Sequence, residues 1–253
     1  MSGPVATPPS DRPPQTPADA PAVLAHEPPG TVAAALLIAG KDLTIELRTR
    51  TALLSALALS LLSIIIFNFA WDPTAVAAID LAPGLLWTIF TFSGLLGLHR
   101  SFGSEQVERA MDVLVSAPIP RQAVYLGKAL ANLALVLLVQ AVSIPAVLVV
   151  YNLPFAASLP VLFGVAVLAA IGLVAVGTLF SAMTVNTRTA ELLLPLLALP
   201  FFVPIVTTAA QGTARLMAGR PASEAIGWIK LLVAYDLVFV VACAAAYTVI
   251  ADE

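Results

Sequence analysis

Between Ala129 and Thr187 the chain carries no Lys, Arg, His, Asp or Glu. A stretch of this length cannot form the surface of a water-soluble domain, and it is too long for one membrane span of about 20 apolar residues. In the whole chain 60% of residues are hydrophobic and 11% are charged, whereas soluble domains carry about 25% charged residues. The sequence therefore predicts that most of the molecular surface contacts lipid.

Six transmembrane helices are predicted from the apolar runs, so the expected fold class is an all-α, polytopic integral membrane protein. Asn152, Pro154 and Pro160 divide the longest run in two, and prolines in the fifth run predict a kink packed against neighbouring helices. The alternation typical of barrel strands is missing from the sequence. The predicted spans are about 51–71, 81–98, 129–150, 161–183, 191–208 and 230–250.

The chain before the first span has two parts. Residues 1–30 hold nine of the 20 prolines and no apolar leader segment, which predicts a disordered, cytoplasmic tail. From Thr31 the pattern is helical, and Val32, Leu36, Leu43 and Leu47 share one face. This pattern predicts a helix in the membrane interface. Residues 31–253 are then expected to form one permease domain.

Positive charges indicate the orientation of the spans, because Lys and Arg concentrate in cytoplasmic connections. They precede the first span and occupy the 2–3 and 4–5 connections, whereas the 1–2 and 3–4 connections have none. Both termini are therefore expected in the cytoplasm. The residues on that side are Lys41, Arg48, Arg50, Arg100, Arg109, Arg121, Lys128 and Arg188; those opposite are Arg215, Arg220 and Lys230.

Motifs for catalysis are missing from the sequence, which argues against an enzyme. The phosphate-binding loop that ends in Gly-Lys-Ser/Thr does not occur, and two His with one Cys are a poor set for a catalytic metal. The 12 Lys and Arg form no basic block, so no nucleic-acid partner is expected. The chain is expected to hold no cofactor of its own, and any ATP must be bound by a partner.

The loop between the second and third spans, residues 99–128, carries a candidate docking helix. Glu105, Glu108 and Asp112 share one face at helical spacing, and Val107, Met111 and Leu114 share another. Pro118 ends this pattern because proline has no backbone N–H to donate. The acidic face would meet the cytoplasm or a docked protein, while a solvated loop helix without a partner is the alternative.

The segment 108–118, followed by Gly127-Lys128, resembles the cytoplasmic-loop signature of ABC-2-type exporter permeases. Segments 41–48, 81–87 and 94–102 are similar to the permease B subunit of the cytochrome c maturation ABC transporter, the haem exporter protein B family. The resemblance covers residues 32–250. Arg109 departs from it, since family members commonly carry glycine there.

The resemblance implies an ABC-2-type permease bundle in the bacterial inner membrane, working as a homodimer with a separate ABC ATPase. It also implies a haem-handling membrane subunit and a periplasmic haem chaperone as partners, with haem as a candidate cargo. ATP hydrolysis would drive haem export or release of the haem-loaded chaperone. On this view Glu105, Val107, Glu108, Met111, Asp112, Leu114 and Pro118 form the ATPase-coupling helix.

Single residues inside or beside the spans complete the set of candidates. Asp236 lies a few residues inside the sixth run, where an ionisable group is a functional candidate but can still reach interfacial water. His99 ends the second span; a haem contact is one interpretation, and an interfacial histidine is the simpler one. Gln140 is expected to hydrogen-bond between helices. The pairs Gly94/Gly97 and Gly177/Ser181 offer surfaces for close helix packing.

Three other functions fit parts of the pattern. An ABC-2-type exporter of a lipid, drug or polysaccharide would share the docking loop but need no haem-maturation partners. A secondary transporter or channel would be expected to show embedded ion-handling residues and inverted repeats, and the sequence offers Asp236 alone and no internal repeat. A scaffold for a chaperone complex would keep the same loop.

Overall fold

The computed structural model describes residues 30–108, 120–153, 159–184 and 190–250. All regular secondary structure in these ranges is α-helical, and the helices α2 to α7 are long and apolar enough to cross a membrane. The prediction of an all-α protein with six spans is therefore confirmed. The helices are α1 (Thr31–Thr49), α2 (Thr51–Ala70), α3 (Ala78–Glu108), α4 (Arg121–Val150), α5 (Leu159–Thr184), α6 (Ala190–Met217) and α7 (Ala222–Ile250).

Several helices extend beyond the predicted spans. The helix α4 begins at Arg121 rather than near 129, and α7 begins at Ala222 rather than near 230. Both extensions contain charged residues, which an apolar-run criterion excludes even though the backbone remains helical. Residues 1–29, where the tail is predicted, lie outside the described residues.

The helix α5 is the central element of the bundle and packs against α3, α4, α6 and α7. It presents small residues to its neighbours: a Cβ on Gly177 would overlap the Leu98 side chain of α3, and the Ser181 hydroxyl donates to the Leu98 carbonyl at 3.3 Å. The Tyr125 hydroxyl of α4 donates to the Ala175 carbonyl at 2.9 Å. Close packing at Gly177/Ser181, as the sequence predicts, is what brings α3 and α5 together.

The helix α2 packs on α3 and α4 through one narrow face of small residues. Ser60 on this face is fully buried and its hydroxyl lies 2.6 Å from the Ser143 hydroxyl of α4. Most of the remaining α2 surface is apolar and exposed, as a lipid-facing helix requires. The residues of the buried face are Ala52, Ala56, Ser60 and Ile64.

Three prolines lie inside α6 without ending it: Pro195, Pro200 and Pro204. Each removes one backbone donor, and in lipid the freed carbonyls need donors from neighbouring helices. The Tyr235 hydroxyl of α7 donates at 2.6 Å to the Phe201 carbonyl, which is next to the Pro200 carbonyl that Pro204 leaves without its helical donor. Packing on α7 thus supports the proline-rich part of α6.

Candidate functional site

The first of the residues predicted to form a docking helix lie on a continuation of α3. The sequence predicts that the second span ends at Leu98, but the helix runs on to Glu108. These ten further residues extend the rod by about 15 Å at 1.5 Å per residue. His99 is the first residue of this extension, and Glu105, Val107 and Glu108 lie in its last turns. Arg109, Met111, Asp112, Leu114 and Pro118 lie outside the described residues.

At the same end of the bundle, which we call the α1 end, α1 lies tightly against the start of α4. A Cβ on Gly127 would stand 2.8 Å from the Ala35 carbonyl oxygen and 2.7 Å from Ile38 Cβ, so only glycine allows this approach. Ala34, Ala35 and Ile38 are buried in the contact. The predicted apolar stripe of α1 is on another face, where Val32 and Leu36 are exposed.

An ion pair adds to this contact. The Lys128 side chain is 2% exposed, and its Nζ lies 3.5 Å from Asp42 Oδ2 on α1. Asp42 also pairs with the exposed Lys41 at 2.9 Å. Sequence reasoning missed this pair, although both residues fall in the segments that carry the family resemblance. The sequence does contain a signal for this pair: Lys128 lies at the edge of a long apolar span, and Asp42 lies on the helix predicted just before the first span.

The corner between α1 and α2 is also fixed. Arg50 takes a left-handed conformation with φ 58°, which lets α2 start at once after α1 ends. Glu46 Oε1 then accepts a hydrogen bond from the Leu53 N–H at 2.9 Å. A carboxylate at this position satisfies a free donor of the first turn of α2 and complements the helix dipole. The α1 end is therefore held by specific polar contacts.

Asp236 occupies a different setting, at the middle of α7. It lies 14 residues after Ala222 and 14 before Ile250, which places it about 21 Å from either helix end. The helix begins eight residues before the predicted span, so Asp236 lies further from the helix end than the sequence predicts. The side chain is 7% exposed, and neither carboxyl oxygen has a hydrogen-bond partner.

A small cavity of about 20 Å³ lies between α2, α3 and α4. Gly94 and Gly97 border it, and a Cβ on either would meet no described atom within 4 Å. The expected close packing at this pair is therefore not found among the described residues. Gln140 and Asn132 also line it. Neither amide atom of Gln140 has a partner, which contradicts the predicted inter-helix bond, while the Asn132 amide donates to Thr178 at 3.2 Å.

Comparison with known proteins shows which family the chain belongs to. Residues 33–251 match the family model described as CcmB protein. Heme exporter protein B of Paracoccus denitrificans is 32% identical over 212 residues, which cover 84% of this chain and 96% of that protein. Heme exporter protein B of Rhodobacter capsulatus is 32% identical over 175 residues, covering 68% and 78%. That of Haemophilus influenzae is 31% identical over 183 residues, covering 70% and 79%. This chain, a multi-pass membrane protein, therefore belongs to the CcmB family.

Proposed function

We propose that this chain is the membrane permease subunit of an ATP-driven haem export system that serves cytochrome c maturation. The observation that carries the proposal is the extent of the similarity, since 84% of the chain aligns with 96% of a protein named heme exporter protein B. The six helices able to span a membrane supply the architecture that a permease needs. Haem is the proposed cargo, bound by the transport complex and not as a resident cofactor.

The energy source is a separate ATP-hydrolysing subunit that docks on the 99–128 loop. Glu105 and Glu108 lie on a helix that is continuous with the second span, so a force on this end would act on the bundle through α3. The helix α3 contacts α2, α4, α5 and α6. When the ATPase pair closes on ATP, it would tilt the end of α3 at Glu108. This tilt would then be transmitted to the four helices that α3 contacts. Asp112 completes the proposed acidic face.

The α1 end is proposed to face the cytoplasm, in accordance with the distribution of Lys and Arg. At the opposite end Trp71 and Tyr151 contact each other with ring centroids 5.5 Å apart, and Arg215 lies 4.8 Å from the Trp228 ring. Aromatic side chains at helix ends are typical of the membrane interface. The proposed location is the bacterial inner membrane, with both termini cytoplasmic.

The proposed assembly contains two copies of this chain, the ATPase, a haem-handling membrane subunit and a periplasmic haem chaperone. These partners follow from the family resemblance, and the relatives named heme exporter protein B support a role in haem export. Within the assembly the chain contributes no catalytic residue. Its role is to convert ATPase closure into movement of the membrane helices.

Deleting the gene tests the function directly. We expect loss of covalently bound haem on c-type cytochromes and accumulation of the haem-loaded chaperone, both reversed by a plasmid copy. Haem staining of membrane and periplasmic proteins, with immunodetection of the chaperone adduct, gives the readout. Normal cytochrome maturation in the deletion strain would contradict the proposal and favour an exporter of another substrate.

A further inference from the structure

The Asp236 carboxyl fits into a space that glycine leaves between three helices. A Cβ built on Gly172 of α5 would stand 2.7 Å from Asp236 Oδ1 and 3.0 Å from Ile205 Cδ1 of α6. Gly172 and Ile205, like Asp236, lie near the middle of their helices. The carboxyl group is therefore enclosed at mid-membrane depth, where the hydrocarbon core is about 30 Å thick.

Charged groups that could balance an ionised Asp236 are distant among the described residues. No charged residue occurs in α5, and Arg215 of α6 lies ten residues beyond Ile205, about 15 Å along the helix. On α7 itself, the exposed Lys230 lies six residues away, about 9 Å along the axis. On the α4 side the charged residues Arg121 and Lys128 lie at the α1 end.

The polar side chains in this region form hydrogen bonds with other groups or lie on other turns of their helices. The Tyr235 hydroxyl donates to the Phe201 carbonyl, and the Tyr125 hydroxyl of α4 donates to the Ala175 carbonyl. Cys243 lies two turns further along α7, and the Tyr247 ring packs at a tilt against the Tyr125 ring with centroids 5.5 Å apart. None of these groups donates a hydrogen bond to Asp236.

An ionised carboxylate in such an enclosure is strongly unfavourable, because its desolvation is not offset by a donor or a cation among the described residues. A protonated carboxylic acid carries no net charge and costs far less. One carboxyl without further oxygen ligands is also a poor metal site, since hard cations take six or more oxygens. The ligand that suits this enclosure is a proton.

We propose that Asp236 is an intramembrane proton-binding site, which takes up one proton when α5, α6 and α7 pack around it and releases it when these helices part and water enters. On packing, the Asp236 carboxylate and one proton form a carboxylic acid; on opening, the acid releases the proton and the carboxylate forms again. Helix separation during transport is then coupled to the exchange of one proton per copy of the chain.

Infrared spectroscopy of the full chain in lipid nanodiscs at neutral pH tests the bound proton. We expect a carbonyl band of a protonated carboxylic acid that shifts when aspartate is labelled with ¹³C and disappears in Asp236→Asn. Asp72→Asn is the matched control: hydrogen bonds from the Thr74 hydroxyl and N–H hold the pKa of the exposed Asp72 carboxyl below its usual value, so this residue is ionised and contributes no such band.

If Asp236→Asn fails to fold, Asp236→Glu replaces it, and the band should move from the aspartate label to the glutamate label. The absence of any protonated aspartate band in the wild type would overturn the proposal. A band that survives unchanged in Asp236→Asn or Asp236→Glu would also overturn it.

The coupling to packing is tested by the pH dependence of unfolding. The packed state binds one proton more than the opened state, so stability falls as pH rises. Once the opened state has lost its proton, the ratio of packed to opened molecules should fall about tenfold per pH unit in the wild type relative to Asp236→Asn. Comparison with Asp236→Asn cancels titration of the nearby Tyr and Cys groups. Parallel pH profiles of the two proteins would overturn the coupling.

These experiments use no haem, ATP or partner protein. Their failure would leave the proposed export function intact, and failure of the gene-deletion test would leave the proton site intact.

Discussion

Two residues with ionisable side chains, Lys128 and Asp236, are buried among the described residues, and their surroundings differ. Lys128 lies at the α1 end, 2% exposed, and faces Asp42 across the α1–α4 contact. Asp236 lies at the middle of α7, 7% exposed, beside Gly172 and Ile205. A buried ion pair requires both charges, whereas an isolated buried acid is accommodated by losing its charge. The first arrangement fixes a contact, and the second makes a contact depend on protonation.

The largest effect is expected from Asp42→Ala, which takes the acid from the buried Lys128 ammonium. Removing one partner of a buried pair costs about 3 kcal/mol, at the low end of the usual range because Asp42 is partly exposed. Unfolding by denaturing detergent in mixed micelles measures this loss. Lys41→Ala is the matched control, since Lys41 pairs with the same carboxylate at the surface and should cost less than about 1 kcal/mol. Equal losses would show that burial of Lys128 does not matter.

A smaller effect is expected from Gly172→Ala at the second site. The new Cβ displaces the flexible carboxyl of Asp236 and presses on Ile205, which costs about 1–2 kcal/mol. Gly164→Ala in the same helix is the control, because its Cβ meets nothing within 4 Å. The same unfolding assay compares the two proteins. A Gly172→Ala protein as stable as Gly164→Ala would contradict the tight enclosure of Asp236.

The number and type of membrane helices could be predicted because lipid excludes charge over long stretches. The ends of the helices could not, since α3 and α4 continue through charged residues outside the lipid. When the predicted end of a helix is wrong, the predicted position of a residue along that helix is wrong as well, and Asp236 is the clearest example. A span begun at 230 makes it peripheral, while the helix begun at Ala222 makes it central.

Side-chain partners were harder to predict than helices. The pairs Gly177/Ser181 and Gly94/Gly97 look equivalent in sequence, but α3 packs against the first and a cavity lies beside the second. Helical spacing specifies the face of a residue and not the neighbour that covers it. The Asp42–Lys128 pair was missed for the same reason, because 86 residues separate the two in sequence.

The central claim is that a separate ATPase drives this subunit through the acidic end of the α3 extension. The most direct test is co-purification of the ATPase with the double variant Glu108→Lys/Asp112→Lys from membranes. Glu224→Lys is the matched control, because Glu224 is an exposed acid at the opposite end of the bundle, paired with Arg220 at 3.2 Å. The account predicts at least a tenfold loss of bound ATPase in the double variant, about 1.4 kcal/mol or more of binding free energy, and none in the control. Undiminished ATPase in the double variant, at equal levels of membrane protein, would contradict it.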